Sequence, residues 1–289
     1  MIDTAIIVHG GCGAIALERH DRVRAGCRAA ADAGDVILAA GGSALDAVVA
    51  AVRVLEDDPE FNAGVGSALT RDGTVETDAA VMDGATQRVG AVAAVPDLGR
   101  AIALARAVLE AGEHVLLAGP AAWRFAAEVG IAPAPPGSLV TARQVAKLHG
   151  TVGAVARDRA GRFAAATSTG GISGKRAGRV GDSPIPGAGT WADAACAVSA
   201  TGNGEAILRV ALARAIAARI AAGSTTRAAA EQSLAELQRI TDGTAGVIAI
   251  ADGDPIGVQL TSTMPVAWVA RDGETRRGDS LGEQIMISR

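Results

Sequence analysis

Three turn signals, each set between two short apolar runs, constrain this chain more than anything else in it. Arg71-Asp72-Gly73 separates residues 68–70 from 74–81, Asp158-Arg159-Ala160-Gly161 separates 152–157 from 162–167, and residues 252–255 separate 247–251 from 256–260. Asp-Gly and related turns supply the positive φ that tight hairpins need, so each trio reads as a pair of antiparallel strands. Between them lie stretches of helical periodicity at 22–38, 45–56, 102–109, 121–129, 205–221 and 227–240. Ser43 and the pair Ser224-Thr225 stand where helix N-caps belong. Apolar runs at 5–9, 89–95 and 197–201 add single strands. Paired strands between paired helices predict an α/β (α+β) fold in four layers, αββα: two stacked, mainly antiparallel sheets flanked by helices. The 289 residues suit one large domain of that kind. Ala132-Pro133-Ala134-Pro135-Pro136-Gly137-Ser138 can join neither a helix nor a ladder and reads as a linker, followed by a weak helical segment at 142–148.

Composition narrows the function classes. Net charge is −4 with no basic stripe, and aromatics make up 2% with no tyrosine, so nucleic acid is not an expected partner. Cys12, Cys27 and Cys196 are odd in number and widely spaced, which fits neither a disulfide framework nor a zinc site and points to a reducing compartment. The start lacks the basic flank and long apolar core of a signal peptide, and no uninterrupted apolar run reaches membrane-spanning length. The expectation is a soluble, cytoplasmic protein without a membrane partner.

Chemistry concentrates around His149-Gly150-Thr151-Val152-Gly153-Ala154-Val155. Taken alone, this run admits two readings. One is a glycine turn opening a strand. The other is a cleavage point: cutting the Gly150–Thr151 bond gives Thr151 a free α-amine beside its own hydroxyl, a nucleophile with a built-in base. An α-amine titrates near about 8, so it accepts protons under cellular conditions.

Three downstream segments favour the second reading together, although each has a plain alternative. Thr167-Ser168-Thr169-Gly170-Gly171 ends the strand that pairs with the one Thr151 opens, which places Thr169 beside Thr151. Its plain reading is a cap on a glycine turn. Gly178-Arg179-Val180-Gly181-Asp182 sets a cation and an anion three residues apart. They are a surface ion pair or a clamp for a zwitterionic amino acid, since a guanidinium suits a carboxylate and a carboxylate suits an ammonium. Ser199-Ala200-Thr201-Gly202-Asn203-Gly204-Glu205 leaves a strand and enters a helix. It is an ordinary junction or a source of oxyanion donors. Nucleophile, base, support, clamp and oxyanion hole are the parts amide hydrolysis requires.

These segments, with His9-Gly10-Gly11-Cys12-Gly13-Ala14, Phe61-Asn62-Ala63-Gly64-Val65-Gly66-Ser67, Asp78-Ala79-Ala80-Val81-Met82-Asp83-Gly84 and His114-Val115-Leu116-Leu117-Ala118-Gly119, resemble the plant-type (type 2) L-asparaginase and isoaspartyl peptidase family of N-terminal nucleophile hydrolases, nearly end to end. The resemblance implies a precursor that cuts itself between Gly150 and Thr151. Residues 1–150 would become an α subunit with 133–149 as its linker tail, and 151–289 a β subunit. Both would remain in one αββα unit, two of which pair as (αβ)₂. By position, Thr169 supports the nucleophile, Arg179 and Asp182 hold the substrate with Gly202 and Gly204, and Thr201 and Gly202 form the oxyanion hole. Asn62, Gly10 and Gly11 lie near the nucleophile. No cofactor is expected for catalysis. A structural sodium ion is expected on main-chain oxygens of Leu55, Glu56, Asp58, Phe61, Ala63 and Val65.

The activity implied is hydrolysis of L-asparagine to aspartate and ammonia, of β-aspartyl dipeptides, or of both. The alternative is a homologue that does not process and binds amino acids or serves as a scaffold. Relatives of glycosylasparaginase or of the threonine endopeptidase taspase are disfavoured by the clamp for a free amino acid. Two departures stand out. Residues 139–149 are short beside the family's long linker, and Ala200 and Thr190-Trp191 occupy positions expected near the pocket. Cys12 sits in a glycine turn with only His9 as a histidine neighbour, and His9 reads as the end of a buried strand.

Overall fold

The computed structural model describes residues 3–141, 150–251 and 255–285, and within them the apolar runs settle into two stacked sheets. In chain order the elements are β1 (Thr4–His9), α1 (His20–Ala39), α2 (Ala44–Asp57), β2 (Glu76–Asp83), β3 (Val89–Pro96), α3 (Ala101–Ala111), β4 (Leu116–Ala118) and α4 (Ala122–Glu128). The second half contributes β5 (Val152–Arg157), β6 (Phe163–Thr169), β7 (Thr190–Ala192), β8 (Ala197–Gly202), α5 (Gly204–Val210), α6 (Leu212–Ala221) and α7 (Thr226–Thr241). It closes with β9 (Ala245–Ile250), β10 (Ile256–Gln259), β11 (Val266–Arg271), β12 (Thr275–Ser280) and β13 (Glu283–Gln284). One sheet has eight strands in the order β12-β11-β1-β5-β6-β2-β3-β4, and the other has five, β13-β10-β9-β8-β7. Every pairing is antiparallel except β3 with β4 and β10 with β13.

The period of two in each strand builds the layers. Ile6 and Val8 of β1, with Ala154 and Ala156 of β5, face α1 and α2, while Ala5, Ile7 and Val155 face the second sheet. On the smaller sheet Val198 and Ala200 face α5–α7, and Ala197 faces inward. The result is the αββα sandwich expected, with one apolar core between the sheets and one under each helix layer. Ser43 and Thr225 cap α2 and α7, accepting from Asp46 N and Ala228 N. None of the helices among the described residues is long and apolar enough to cross a membrane.

Several local expectations give way to tertiary forces. The hairpin at Asp72-Gly73 shrinks to a bridge between Leu69 and Val75, because the apolar second run is drawn to the middle of the large sheet between β3 and β6. The single helix over 205–221 is two helices broken at Ala211, at φ 47°. There the amides of Ala213 and Arg214 donate to the carbonyls of Ala188 and Gly187 instead of up the helix. Strand β6 runs on to Thr169, two residues past its predicted end. The sequence reading has no counterpart for β4, β7, β11, β12 or β13. β12 is polar throughout and is held as an edge by β11 and by Arg24 and Arg28 on Asp279. The helical segment at 142–148 and residues 252–254 of the last turn lie outside the described residues.

Candidate active site

Strands β5 and β6 pair with Val152 opposite Ser168, so the next residues out, Thr151 and Thr169, meet at the sheet's end. Thr151 Oγ1 donates to Thr169 Oγ1 at 3.2 Å, and both side chains are buried. Thr169 Oγ1 in turn donates to the Gly150 carbonyl at 3.1 Å and accepts from Gly171 N at 3.0 Å. Asn62, in the loop after α2, donates through Nδ2 to the same Gly150 carbonyl at 2.6 Å and to Gly171 O at 2.6 Å. Its Oδ1 accepts from Ala68 N, which fixes the amide orientation. The carbonyl preceding Thr151 is thus polarised by two donors, with a hydroxyl beside it. Gly150 sits at φ +145°, a backbone that side-chain-bearing residues rarely adopt. Gly11 lies directly against Gly150 and Thr151, and Gly10 packs on Phe61.

Arg179 and Asp182 come from the loop between β6 and β7. Asp182 is buried, its Oδ2 has no hydrogen-bond partner among the described residues, and burial pushes its carboxyl up to about 7 against the pull of Arg179. Arg179 forms a two-pronged pair with Glu205, Nε to Oε1 and Nη2 to Oε2, both at 2.9 Å. Gly204 lies between them: a Cβ there would stand 2.7 Å from Arg179 Nη2 and 2.9 Å from Asp182 Oδ1. The loop is braced from below by Lys175, whose Nζ donates to Glu76 O at 2.9 Å. Asp78 attracts Lys175 against the burial that lowers the lysine's pKa.

Gly202 and Gly204 line a cavity with Gly150, Thr151, Thr169, Arg179 and Asp182. Its volume is about 10 Å³, about that of one water. Thr201 is buried next to it, its hydroxyl accepting from Cys12 N at 3.3 Å and its carbonyl accepting from Cys12 Sγ at 3.2 Å. Burial pushes the Cys12 thiol up to about 11, so it is neutral and supports Thr201 rather than attacking anything.

The structure therefore brings together Thr151, Thr169, Asn62, Arg179, Asp182, Gly202 and Gly204, with Thr201 one residue outside the wall. Ala200 and Trp191 do not line the cavity: Ala200 faces the second helix layer, and Trp191 packs under Arg214, whose guanidinium carbon is 5.0 Å from the ring centroid. Sequence reasoning missed Glu205 as the partner of Arg179, though it ends the segment already singled out. It also missed Lys175, one of only two lysines in the chain, and the environment of His9.

Comparison with known proteins identifies the family. The family model described as asparaginase matches residues 2–149 and 141–277. An isoaspartyl peptidase/L-asparaginase of Bos taurus is 43% identical over 305 residues, covering 99% of this chain and 99% of that protein. Its counterpart in Homo sapiens is 45% identical over 293 residues, covering 94% and 95%. An isoaspartyl peptidase of Salmonella typhimurium is 42% identical over 299 residues, covering 93% and 96%. With matches of that extent on a sandwich of two sheets, the chain belongs to the plant-type asparaginase family.

Proposed function

We propose that the protein is a self-processing amidohydrolase that releases aspartate from L-asparagine and from β-aspartyl dipeptides, with Thr151 as an N-terminal nucleophile. The observation that carries this reading is the Gly150 carbonyl, held by Asn62 Nδ2 and Thr169 Oγ1 beside the Thr151 hydroxyl, in a cavity walled by Arg179 and Asp182. In the uncut chain Thr151 Oγ1 adds to the Gly150 carbonyl carbon. Asn62 and Thr169 bear the developing oxyanion. The C–N bond breaks, the hydroxyl proton passes to the departing Thr151 nitrogen, and water hydrolyses the ester left on Oγ1. Residues 1–150 and 151–289 result, with a free amine on Thr151. Turnover follows cleavage, because only cleavage frees the Thr151 amine that serves as its base.

In the second reaction the amine takes the Thr151 hydroxyl proton as Oγ1 attacks the substrate's side-chain carbonyl, and gives it to the leaving ammonia or amine. Thr201 and Gly202 serve the oxyanion. Arg179, already oriented by Glu205, holds the α-carboxylate, and ionised Asp182 holds the α-ammonium. Water then frees aspartate from Oγ1.

A structural sodium ion and an (αβ)₂ assembly in a reducing cytoplasm complete the proposal. The loop after α2 is oxygen-rich where the cation belongs. Places a Cβ would fill at Gly64 and Gly66 are crowded by the carbonyl oxygens of Glu56 and Gly99, and of Phe61 and Pro59. No group of acidic, histidine or cysteine side chains among the described residues competes to hold a metal. Main-chain oxygens of Leu55, Glu56, Asp58, Phe61, Ala63 and Val65 would hold a hard monovalent cation and stiffen the loop that carries Asn62. Intact mass, before and after incubation, tests the cleavage; aspartate release from asparagine and from a β-aspartyl dipeptide tests the activity. Thr151→Ala should remain one uncut, inactive chain. A wild-type protein that stays uncut and releases no aspartate would replace the enzyme with an amino-acid-binding protein.

A further inference from the structure

His9 ends β1 opposite Gly153 of β5 and is wholly buried. Gly11 N donates to its Nδ1 at 3.3 Å, which leaves the proton of the neutral ring on Nε2, donating to Ser199 Oγ at 3.0 Å. Burial keeps the ring neutral by pushing its pKa down to about 3. Ser199 Oγ lies 2.8 Å from Thr167 Oγ1, and Thr190 Oγ1 donates to Thr167 Oγ1 at 2.6 Å, with Ser183 O 3.0 Å away.

The registers explain why these groups meet. Thr167 stands two residues before Thr169 on β6, Ser199 two before Thr201 on β8, and Gly153 of β5 two after Thr151, which immediately precedes that strand. Residues two apart share a face, so the chain of hydroxyls lies one pleat behind the nucleophile, its support and the oxyanion threonine. Thr190 opposes Ser199 across β7 and β8. The chain also crosses from the larger sheet, β1 and β6, to the smaller one, β7 and β8. The core between the sheets is built largely from apolar side chains such as Ile7, Val155, Ala197 and Ile248, and apolar contact has no directionality with which to fix one sheet against the other. Hydrogen bonds have that directionality. Space for the chain is kept by Gly153: a Cβ there would collide with Ser199 Oγ and stand 2.5 Å from His9 Nε2.

We propose that His9, Ser199, Thr167 and Thr190 form a brace that sets the position of Thr151 on one sheet relative to Thr201 on the other, with His9 as its head. They are positioning residues and touch no substrate. The inference rests on Thr151 being the nucleophile.

Thr167→Val keeps the shape and removes the hydroxyl, while Thr167→Ser keeps the hydroxyl and removes a methyl. On processed protein with asparagine as substrate, Thr167→Val should lower kcat by about 10-fold to 100-fold, the effect of a small misplacement of reacting groups, with KM little changed. Thr167→Ser should recover kcat. His9→Leu should behave as Thr167→Val does, with partial recovery in His9→Gln. The rate of cleavage at Gly150–Thr151 should follow the same order, which keeps the test readable if little processed Thr167→Val protein accumulates. The brace is overturned if Thr167→Val keeps both rates within about twofold, or if Val and Ser are equally impaired, since either result reduces the site to packing. An active Thr151→Ala would instead sink the nucleophile reading, whereas an inert Thr151→Ala beside a fully active Thr167→Val would sink the brace alone.

Discussion

At the scale of single residues, Asp182 has the most exposed consequences. Its carboxyl titrates at about 7 in the free protein because burial disfavours the charge, and only the ionised form attracts an ammonium. KM for asparagine should therefore fall as pH rises through about 7 and level off above it. Steady-state kinetics from pH 5.5 to 8.5 would check this, and a flat KM would remove Asp182 from the ammonium site. The same shift acts on stability. The pKa is raised on folding, so the unfolded chain loses its proton first as pH rises. The contribution is fully present below the ordinary carboxylate value and is lost as pH rises through about 7. Asp182→Asn should thus narrow the gap in Tm between pH 5 and pH 8 while binding aspartate far more weakly. That Thr151, Thr169, Arg179 and Asp182 meet at one cavity was legible because all lie within short, distinctive segments. Glu205 was less visible because its role depends on Arg179 reaching it across 26 residues of chain.

Among the elements, the loop between α2 and β2 carries the most weight. Glu56, the penultimate residue of α2, is fully buried, and its Oε1 accepts from Ile102 N in the first turn of α3 and from Ser168 Oγ of β6. Removing it in Glu56→Ala strands both donors and should cost about 3 kcal/mol, read as a lower midpoint in urea. Its carboxyl is pushed up to about 8 by burial, so Glu56→Gln should be tolerated best at alkaline pH, where the wild-type acid is forced to ionise. Exchanging sodium for a bulky organic cation should lower Tm and slow cleavage together, because the loop proposed to hold the ion also carries Asn62. Unchanged Tm and cleavage in sodium-free buffer would remove the ion from the proposal. Most helices and strands were legible from periodicity and caps. The break at Ala211 was not, because it is imposed by amides that donate to carbonyls of Gly187 and Ala188, a competition no local propensity records.

For the whole molecule, strand order predicts what the proposed cleavage would do. In the larger sheet β1 and β2–β4 come from before residue 150, and β5, β6, β11 and β12 from after it. The order β12-β11-β1-β5-β6-β2-β3-β4 interleaves them, so the two products share three ladders: β11 with β1, β1 with β5, and β6 with β2. After cleavage the fragments should co-elute in gel filtration and separate only in denaturant. Fragments that part in native buffer would contradict this topology.

The sequence by itself determined the layers and marked the segments that meet at the cavity, because a period of two, a period of 3.6 and a glycine before a threonine are local properties that survive without the fold. It did not determine which strands lie side by side or what stands behind the nucleophile. β11 and β12 lie at the far end of the chain, yet β11 pairs with β1. His9 and Ser199 are 190 residues apart and hydrogen-bond only because the two sheets stack. Such contacts depend on which apolar faces bury against each other, and that choice is made by the whole chain at once.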